Sequence, residues 1–264
     1  MTATLPDISK IFGLDGRVAL ITGGSRGLGF EAARGLAAAG ARVILSSRSA
    51  ESCESAAAAI RNQGGDAVAM PCHVGQVDDI RRLADRVGEE GRLDILINNA
   101  GAPLPYTLDT LTEAAFDKSF SVNAKGPLFL IQALRPLLAA SPSAAGDSVG
   151  GASIINVSTV GAFFGTPTQL GYGASKAALW HMTRTLAKTL APERVRVNAI
   201  APGPMATLMV TSGGDALMEK SAAGTLQNRV ADPAEIIGPM LFLASDAGSF
   251  VTGTVVHVDG GWLA

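Results

Sequence analysis

Short apolar runs alternate with alanine-rich amphipathic stretches along almost the whole chain. The runs are continuously apolar, which is typical of strands buried on both faces of a parallel sheet. They predict seven strands, at 17–22, 41–47, 67–71, 93–97, 153–157, 194–200 and 254–258. The stretches between them predict helices at 28–39, 51–62, 77–87, 112–120, 124–140, 170–191 and 233–245. This repetition implies right-handed crossovers, so the pattern predicts a doubly wound, mainly parallel α/β sheet with helices on both faces.

Two segments interrupt this rhythm. Residues 140–151 are small, and we expect them to form a mobile surface loop. Residues 203–230 are rich in Met, Gly and Thr, and no clean periodicity runs through them. We interpret this second segment as a substrate-binding loop or lid. Because no internal repeat or linker stands out, residues 1–264 are predicted to form a single domain.

Composition and charge argue against several kinds of partner. The chain is 47% hydrophobic, only 5% aromatic and carries a formal net charge of −2, so neither a basic patch nor nucleic-acid binding is expected. No apolar run reaches the roughly 18–20 residues that a membrane span needs. The N-terminus lacks a signal-peptide pattern and the two cysteines form no CxxC pair, so we expect a cytoplasmic protein. The three histidines show no metal-binding spacing, and no metal is expected.

The segment Tyr172-Gly-Ala-Ser-Lys176 carries the first candidate chemistry. Residues four apart on a helix share a face, so a phenol and an ammonium would lie side by side. A nearby cation favours the phenolate and is expected to lower the pKa of Tyr172 toward the working range. An isolated pair of this kind is usually an ordinary surface tyrosine and lysine, so its meaning depends on the rest of the chain.

A glycine-rich segment follows the first predicted strand and precedes the first predicted helix. Glycine lets the chain turn tightly and lets a pyrophosphate approach the backbone at a helix N-terminus. The spacing is GxxxGxG rather than the commoner GxGxxG, so the general dinucleotide pattern applies only in part. The candidate phosphate-binding residues are Gly23, Ser25, Arg26, Gly27, Leu28 and Gly29.

Six short motifs in this order resemble the short-chain dehydrogenase/reductase family, and the likeness runs from residue 17 to residue 262. The motifs are TGGSRGLG at 22–29, NNAG at 98–101, NAKG at 123–126, Ser158, YxxxK at 172–176 and Pro202-Gly203. The resemblance implies a single-domain Rossmann fold and a nicotinamide-dependent oxidoreductase. The pattern is similar to the branch of 3-oxoacyl-thioester (acyl carrier protein) reductases.

The resemblance also implies a catalytic group of four residues. Tyr172 would be the general acid that protonates a carbonyl oxygen, and Lys176 would lower its pKa and bind the nicotinamide ribose. Ser158 would hydrogen-bond the substrate oxygen. Asn123 would anchor a water that leads protons to Lys176.

The end of the second predicted strand indicates which dinucleotide binds. Members that prefer NAD carry an acid there, whereas this strand ends in Ser46-Ser47-Arg48 without a carboxylate. Arg48 and Arg26 suit the 2′-phosphate of NADP(H), so NADP(H) is predicted. His73-Val74 replaces the Asp-Val that many members place at the adenine, so the adenine is expected to be held differently. The remaining cofactor-binding residues implied by the family are Ser47, Asn99, Ala100, Gly101, Pro202, Gly203, Met205 and Thr207.

The substrate is expected to be a small-molecule carbonyl or alcohol. Apolar residues of 203–230, together with Phe163 and Phe164, favour a bulky apolar ketone or acyl chain, although packing within the fold explains them equally well. We therefore predict an NADPH-dependent ketone reductase, with alcohol oxidation or a catalytically silent NADP(H)-binding protein as alternatives. The family resemblance implies a homotetramer, or a homodimer, joined through the helices near 124–140 and 170–191.

Overall fold

Residues 5–143 and 149–264, which this computed structural model describes (apart from the side chain of Met209), form one seven-stranded sheet. The strand order is β3-β2-β1-β4-β5-β6-β7, and every neighbouring pair is parallel. The strands are β1 (Val18–Thr22), β2 (Arg42–Ser46), β3 (Asp66–Ala69), β4 (Ile95–Asn98), β5 (Ala152–Val157), β6 (Val195–Pro202) and β7 (Val255–Val258). The seven predicted strands and the doubly wound parallel arrangement are thus confirmed.

Helices cover both faces of the sheet. Successive strand residues point to opposite faces, so Ile21 of β1 packs into one apolar layer and Leu20 into the other. Helices α2, α3 and α10 contribute to the first layer, and α4, α6 and α7 to the second. The helices are α1 (Ile8–Phe12), α2 (Gly27–Ala38), α3 (Ala50–Arg61), α4 (Val77–Gly88), α5 (Glu113–Phe120), α6 (Gly126–Ala139), α7 (Leu170–Leu190), α8 (Leu208–Thr211), α9 (Gly214–Ala223) and α10 (Ile237–Ala244). Within the described part of the chain, every helix is too short or too polar to cross a bilayer.

The chain reverses its direction of growth across the sheet between β3 and β4. β2 and β3 are added on one side of β1, and β4 to β7 follow on the other. In open α/β sheets, ligands bind in the crevice at the carboxyl ends of the strands, beside such a switch point. The ends of β1, β2, β4 and β5 therefore mark the edge where a functional site is expected.

The segment 203–230 is more regular than its composition predicts. It contains the short helix α8 and the longer helix α9. Thr207, which precedes α8, accepts backbone hydrogen bonds from Val210 and Thr211 through its carbonyl. The mixture of apolar and polar residues hid both helices in the sequence. The hydrogen bonds to the Thr207 carbonyl hold the first turn of α8.

The beginning of the segment 140–151 is not the surface loop that its small residues predict. Ser141 and Ser143 are both buried, and the Ser141 hydroxyl donates to the buried carboxylate of Asp94. Burial acts to raise the pKa of Asp94, but hydrogen bonds to its carboxylate outweigh burial and lower that pKa. A small residue fits beside a buried carboxylate, and this explains the correction; the remainder of the prediction, at 144–148, lies outside the described residues.

Candidate active site

Tyr172 and Lys176 lie one turn apart near the start of α7, as their spacing predicts. Tyr172 is half-buried, whereas Lys176 is only 2% exposed. The Lys176 Nζ donates a 2.6 Å hydrogen bond to the carbonyl oxygen of Val157, the last residue of β5. The helix therefore presents both groups at the carboxyl edge of the sheet.

Burial controls the protonation of both groups. It raises the pKa of the Tyr172 phenol to about 12, while a side-chain hydrogen bond with Thr159 acts in the opposite direction. Burial also lowers the pKa of the Lys176 ammonium to about 8. Loss of water disfavours the charged form of each group, and the ammonium is hydrogen-bonded to a backbone carbonyl. The expectation that Lys176 lowers the pKa of Tyr172 is thus corrected for the protein alone: the phenol is neutral at pH 7 and can donate a proton.

Ser158 follows the last residue of β5 and lies against the same helix. It is 3% exposed, and its hydroxyl donates a long 3.3 Å hydrogen bond to the carbonyl of Lys176. The next residue, Thr159, begins the turn Val160–Ala162 and accepts a hydrogen bond from the Gly161 N–H at 3.3 Å. Thr159 is the side chain that reaches the Tyr172 hydroxyl. Sequence reasoning overlooked it, and its position directly after Ser158 was the only signal.

Asn123 lies in a π-helical turn, Ser121–Lys125, between α5 and α6. The sequence predicts an ordinary helix beginning at 124, but π-turns often occur at functional sites. The fully buried amide accepts a 2.8 Å hydrogen bond from the Ala102 N–H and donates to the Ser175 hydroxyl at 3.0 Å. Ser175 in turn donates to the carbonyl of Tyr172 at 2.7 Å. This buried chain joins the π-turn to the catalytic helix.

The Asn123 amide also lies near the Lys176 ammonium. A Cβ added to Gly101 would lie 3.6 Å from Asn123 Oδ1 and 3.7 Å from Lys176 Nζ. Both atoms therefore face the same small space beside Gly101. The structure brings together all four predicted catalytic residues.

The glycine-rich loop after β1 is held by Asn99. The Asn99 amide donates to the carbonyls of Thr22 at 2.9 Å and Gly23 at 3.1 Å. A Cβ at Gly23 would lie 2.7 Å from this amide, and one at Gly29 would lie 2.4 Å from the Gly23 carbonyl. The loop can adopt this fold only with glycines at these positions. Asn99, predicted as a cofactor residue, uses its side chain to clamp the loop.

The end of β2 lies against this loop, because the Gly24 N–H donates to the Ser46 carbonyl at 3.2 Å. Arg26 and Arg48 are both exposed, and neither guanidinium has a hydrogen bond or ion pair among the described residues. The Ser47 hydroxyl lies 3.0 Å from the buried thiol of Cys53. The loop and strand end thus present two free cations on one side of the edge.

His73 has a structural role in the turn after β3. Its Nδ1 accepts a 3.1 Å hydrogen bond from the Gly75 N–H, and its own N–H donates to Asp79 at 3.2 Å. A Cβ at Gly126 would lie 2.3 Å from the Val74 carbonyl, so α6 begins in close contact with this turn. Among the described residues, no cluster of three or more potential metal ligands occurs.

The segment after β6 closes the site on the opposite side. A Cβ at Gly203 would lie 2.7 Å from the Cα of Asp259, and one at Gly27 would lie 3.5 Å from Thr207 Cγ2. Thr207 therefore reaches the glycine loop. Met205 is 2% exposed and packs into the core. Its side chain is therefore buried, and only its backbone is left to contact a cofactor.

Phe163 and Phe164, which are candidates for substrate contact, also make ring contacts within the fold. Phe163 contacts the His257 ring edge-on at a centroid distance of 4.9 Å, and Phe164 lies 6.1 Å from Trp262. Near the same C-terminal residues, a cavity of about 330 Å³ is lined by Asp259 and the paired Arg229 and Glu235 among others. None of the four catalytic candidates lines this cavity.

A doubly wound sheet with a glycine loop after β1 and a Tyr–Lys–Ser group at its carboxyl edge defines a dinucleotide-binding α/β oxidoreductase. The sequence model of a family described as enoyl-(acyl carrier protein) reductase matches residues 23–263. The chain belongs to the short-chain dehydrogenase/reductase family, as its motifs predict.

Individual relatives match over nearly their whole length. The rhamnolipids biosynthesis 3-oxoacyl-[acyl-carrier-protein] reductase of Pseudomonas aeruginosa is 38% identical over 255 residues, which cover 95% of this chain and 98% of the relative. Human dehydrogenase/reductase SDR family member 4 is 36% identical over 256 residues, covering 94% and 88%. The solved active-site complex of Pseudomonas aeruginosa RhlG with NADP superposes with a TM-score of 0.90 at 37% identity, covering 97% and 99%.

Proposed function

We propose that this protein is an NADP(H)-dependent oxidoreductase that reduces a ketone to a secondary alcohol. The observation that carries the proposal is the setting of Tyr172 on α7. Its phenol is neutral at pH 7, lies one turn from the buried ammonium of Lys176 and reaches Thr159 next to Ser158. A neutral phenol at the ligand-binding edge of such a sheet is a proton donor for a carbonyl oxygen.

The residues at the glycine loop fit NADP(H). A Cβ at Gly23 or Gly29 would collide with neighbouring atoms, so bare backbone and the N-terminus of α2 face the position of a pyrophosphate. Arg26 and Arg48 are exposed cations without partners among the described residues, as a 2′-phosphate requires. The buried Ser46 hydroxyl at the end of β2 also lacks a partner there. The similar Pseudomonas aeruginosa structure is a complex with NADP.

Each proposed catalytic residue has a separate role in the reduction step. When bound, NADPH supplies a hydride, with its electron pair, to the carbonyl carbon. Tyr172 donates the phenolic proton to the carbonyl oxygen, so the π bond of C=O breaks, a C–H and an O–H bond form, and the C–O single bond remains. Ser158 turns its hydroxyl from the 3.3 Å bond with the Lys176 carbonyl toward the same oxygen and stabilises its developing charge.

Lys176 and Asn123 return a proton to Tyr172. The ammonium has a pKa of about 8, close enough to neutrality to release and regain a proton. Asn123 Oδ1 and the Lys176 Nζ face the space beside Gly101, where a water can connect them to solvent. The balance is one ketone, one NADPH and one proton giving one secondary alcohol and one NADP⁺.

The substrate proposed is a 3-oxoacyl thioester or another bulky apolar ketone. Residues 203–230 act as the lid over it, with Leu208 67% and Leu217 40% exposed. Exposed leucines on short helices are apolar contacts that a substrate chain can cover. The similar Pseudomonas aeruginosa relative is named for a 3-oxoacyl-[acyl-carrier-protein] substrate.

Alcohol oxidation by the same residues is the alternative direction. The same residues catalyse both directions, with Tyr172 as the acid in reduction and the base in oxidation, so the ratio of reduced to oxidised cofactor sets the direction. A silent NADP(H)-binding protein has no need of Tyr172, Lys176 and Ser158 together, so we place this reading last.

The proposal is tested by following NADPH oxidation at 340 nm with simple ketones, 3-oxoacyl thioesters and enoyl thioesters. We expect turnover of ketones or 3-oxoacyl thioesters. Tyr172→Phe should remove at least 99% of this activity and leave the dissociation constant for NADPH, measured by fluorescence titration, nearly unchanged. Substantial reductase activity in the Phe variant, or turnover of enoyl thioesters alone, would contradict the proposal.

We also propose a homotetramer built through α6 and α7, with a homodimer as the alternative. His181 on α7 is exposed and Trp180 beside it is half-buried, so this part of the helix can contribute to an interface. Sedimentation or light scattering measures the assembly directly, and a monomer at micromolar concentration would overturn the proposal.

A further inference from the structure

Three buried polar side chains outside the proposed catalytic group join β4, β5 and α7 by hydrogen bonds. Asn98 ends β4, Asn156 lies opposite it on β5, and Thr183 lies on α7. Each is at most 1% exposed. The Asn98 Nδ2 donates to Asn156 Oδ1 at 2.9 Å, and the Asn156 Nδ2 donates to the Thr183 hydroxyl at 2.9 Å. We call these three residues the polar bridge.

The direction of each hydrogen bond in the polar bridge is fixed at its α7 end. The Thr183 hydroxyl donates its only proton to the Leu179 carbonyl at 2.9 Å, because a carbonyl can only accept. The hydroxyl oxygen must therefore accept from Asn156 Nδ2, and this orients the amide with its Oδ1 toward Asn98. The Asn98 Oδ1 is then left buried, without a hydrogen-bond partner among the residues that the structure describes.

The polar bridge is an unfavourable way to fill this part of the core. Leu96 and Ile154, two residues earlier on the same strands, point to the same layer and are apolar. Replacing all members of a buried polar network by apolar side chains of similar shape is often neutral or stabilising. A buried acceptor without a partner is rare and often marks a functional site. The presence of the polar bridge therefore favours a role other than stability.

Helix α7 is held to β5 at two points. The Lys176 Nζ donates to the Val157 carbonyl, and the amide of Asn156, one residue earlier on β5, donates to Thr183. Lys176 and Thr183 lie about two helical turns, or about 10 Å, apart along the helix. Two such points fix both the position and the direction of the helix. The first point includes the ammonium that is proposed to exchange a proton, so only the second stays unchanged through a reaction cycle.

We propose that the polar bridge positions the catalytic turn of α7 at the cofactor-binding edge of the sheet. Asn98 directly precedes Asn99, whose amide holds the carbonyls of the glycine loop. The polar bridge therefore connects this loop to the helix that carries Tyr172. Asn156 and Thr183 are fully buried and act through that helix, so they are positioning residues. This inference rests on the proposed reductase function and adds to it the contacts that set the distance between the cofactor and the proton donor.

The first test removes only the hydroxyl at the α7 end. Thr183→Val has nearly the same shape but leaves Asn156 Nδ2 without an acceptor. We expect kcat, with the ketone or 3-oxoacyl thioester that the wild type reduces, to fall about tenfold, the value of one neutral hydrogen bond. The dissociation constant for NADPH, measured by fluorescence titration, should change less than twofold. Thr183→Ser keeps the hydroxyl and should restore kcat to within twofold of wild type.

Thr189→Val is the matched control on the same helix. The Thr189 hydroxyl also donates at 2.9 Å to the carbonyl four residues earlier, but this residue is exposed. Its loss should leave kcat unchanged. A wild-type kcat in Thr183→Val, or a Thr183→Ser variant as slow as Thr183→Val, would overturn the inference.

A second test separates positioning from stability. In the triple variant Asn98→Leu, Asn156→Leu, Thr183→Val, every member of the polar bridge is apolar, so no donor or acceptor of the bridge is left unpaired. We expect a melting temperature equal to or above that of the wild type, with kcat still at least tenfold lower. A kcat that falls only in proportion to the folded fraction would show a purely structural role and overturn the inference.

Hydrogen exchange needs no turnover and distinguishes this inference from the proposed function. The backbone amides of residues 172–183 should exchange faster in Thr183→Val than in wild type or Thr189→Val, while those of α2 should not change. Unchanged exchange in α7 would overturn the inference. A wild-type protein that reduces neither ketones nor 3-oxoacyl thioesters would overturn the proposed function, and hydrogen exchange would still decide whether the polar bridge holds the helix.

Discussion

The Nζ of Lys176 lies 2.6 Å from the carbonyl oxygen of Val157, so the ammonium on α7 is tied to the last residue of β5. Only a few residues separate this bond from Ser158 and Tyr172, whose relative positions it helps to set. Because the ammonium is buried, the bond stabilises a charge that has lost almost all of its water. This single contact therefore links the folding of the sheet edge to the chemistry proposed there.

Replacing this buried cation should change how stability depends on pH. Lys176 has a folded-state pKa of about 8, below its ordinary value of 10.5, so the unfolded chain binds more protons between these pH values. The charge destabilises the folded protein below pH 8, and the penalty fades as the pH rises. We expect the stability of Lys176→Met relative to wild type to be higher at pH 7 than at pH 11 by about 3 kcal/mol.

Urea unfolding at several pH values measures this difference. Lys188→Met, at an exposed lysine of the same helix, is the control and should show no such pH dependence. A Lys176→Met variant whose stability differs from wild type by the same amount at every pH would contradict the buried-charge explanation.

Arg48 should determine the choice between the two nicotinamide dinucleotides. Its exposed guanidinium has no partner among the described residues and would pair with a 2′-phosphate. A charge-assisted hydrogen bond contributes about 1.5–3 kcal/mol, so Arg48→Asp should shift the ratio of kcat/KM for NADPH over NADH by about 10- to 100-fold toward NADH. Arg86→Ala removes an exposed arginine on α4 and should leave this ratio unchanged. An unaltered ratio in Arg48→Asp would exclude a role in recognition of the 2′-phosphate.

The glycine loop should be intolerant of a single methyl group. In Gly29→Ala the new Cβ would lie 2.3 Å from the Asn99 amide and 2.4 Å from the Gly23 carbonyl. We expect a loss of about 1–3 kcal/mol in the free energy of unfolding, together with weaker NADPH binding. Gly238→Ala, a helical position where the added Cβ meets no atom within 4 Å, should instead stabilise the protein slightly. Equal stability of the two variants, measured by urea unfolding, would contradict the predicted crowding.

Ser175 should affect turnover although it does not reach the substrate. Its hydroxyl accepts a 3.0 Å hydrogen bond from the Asn123 side-chain amide and donates a 2.7 Å hydrogen bond to the Tyr172 carbonyl. Ser175→Ala leaves a buried amide donor short of a partner, which costs about 1–3 kcal/mol. We expect kcat to fall about tenfold with little change in the KM for NADPH. Thr185→Ala removes an exposed hydroxyl from the same helix and should leave kcat unchanged.

The pairing of Tyr172 with Lys176 could be predicted from the sequence because residues four apart lie about one turn apart on an α-helix. The tight loop at Gly23 and Gly29 could also be predicted from the sequence, since few other residues tolerate such close backbone contact. The partners of these residues were not. Thr159 and Ser175 look like ordinary small polar residues until the fold brings them to Tyr172.

Sequence position does not reveal where a side chain points, so some contacts of the predicted cofactor residues are visible only in the structure. The side-chain amide of Asn99 holds the Thr22 and Gly23 carbonyls. The side chain of Met205 fills the core. Neither contact can be read from the motif in which the residue lies, because each depends on the path of a distant part of the chain.

The sequence by itself determined the seven strands, their parallel arrangement in a doubly wound sheet and the residues that meet at one sheet edge. These follow from hydrophobic periodicity and from residue types with narrow conformational ranges, both of which are local properties. Only the tertiary structure decided the ionisation of Tyr172 and Lys176. The pKa of a buried group depends on how much water the surrounding fold removes and on which dipole it then meets, and neither quantity is written in the spacing of two residues.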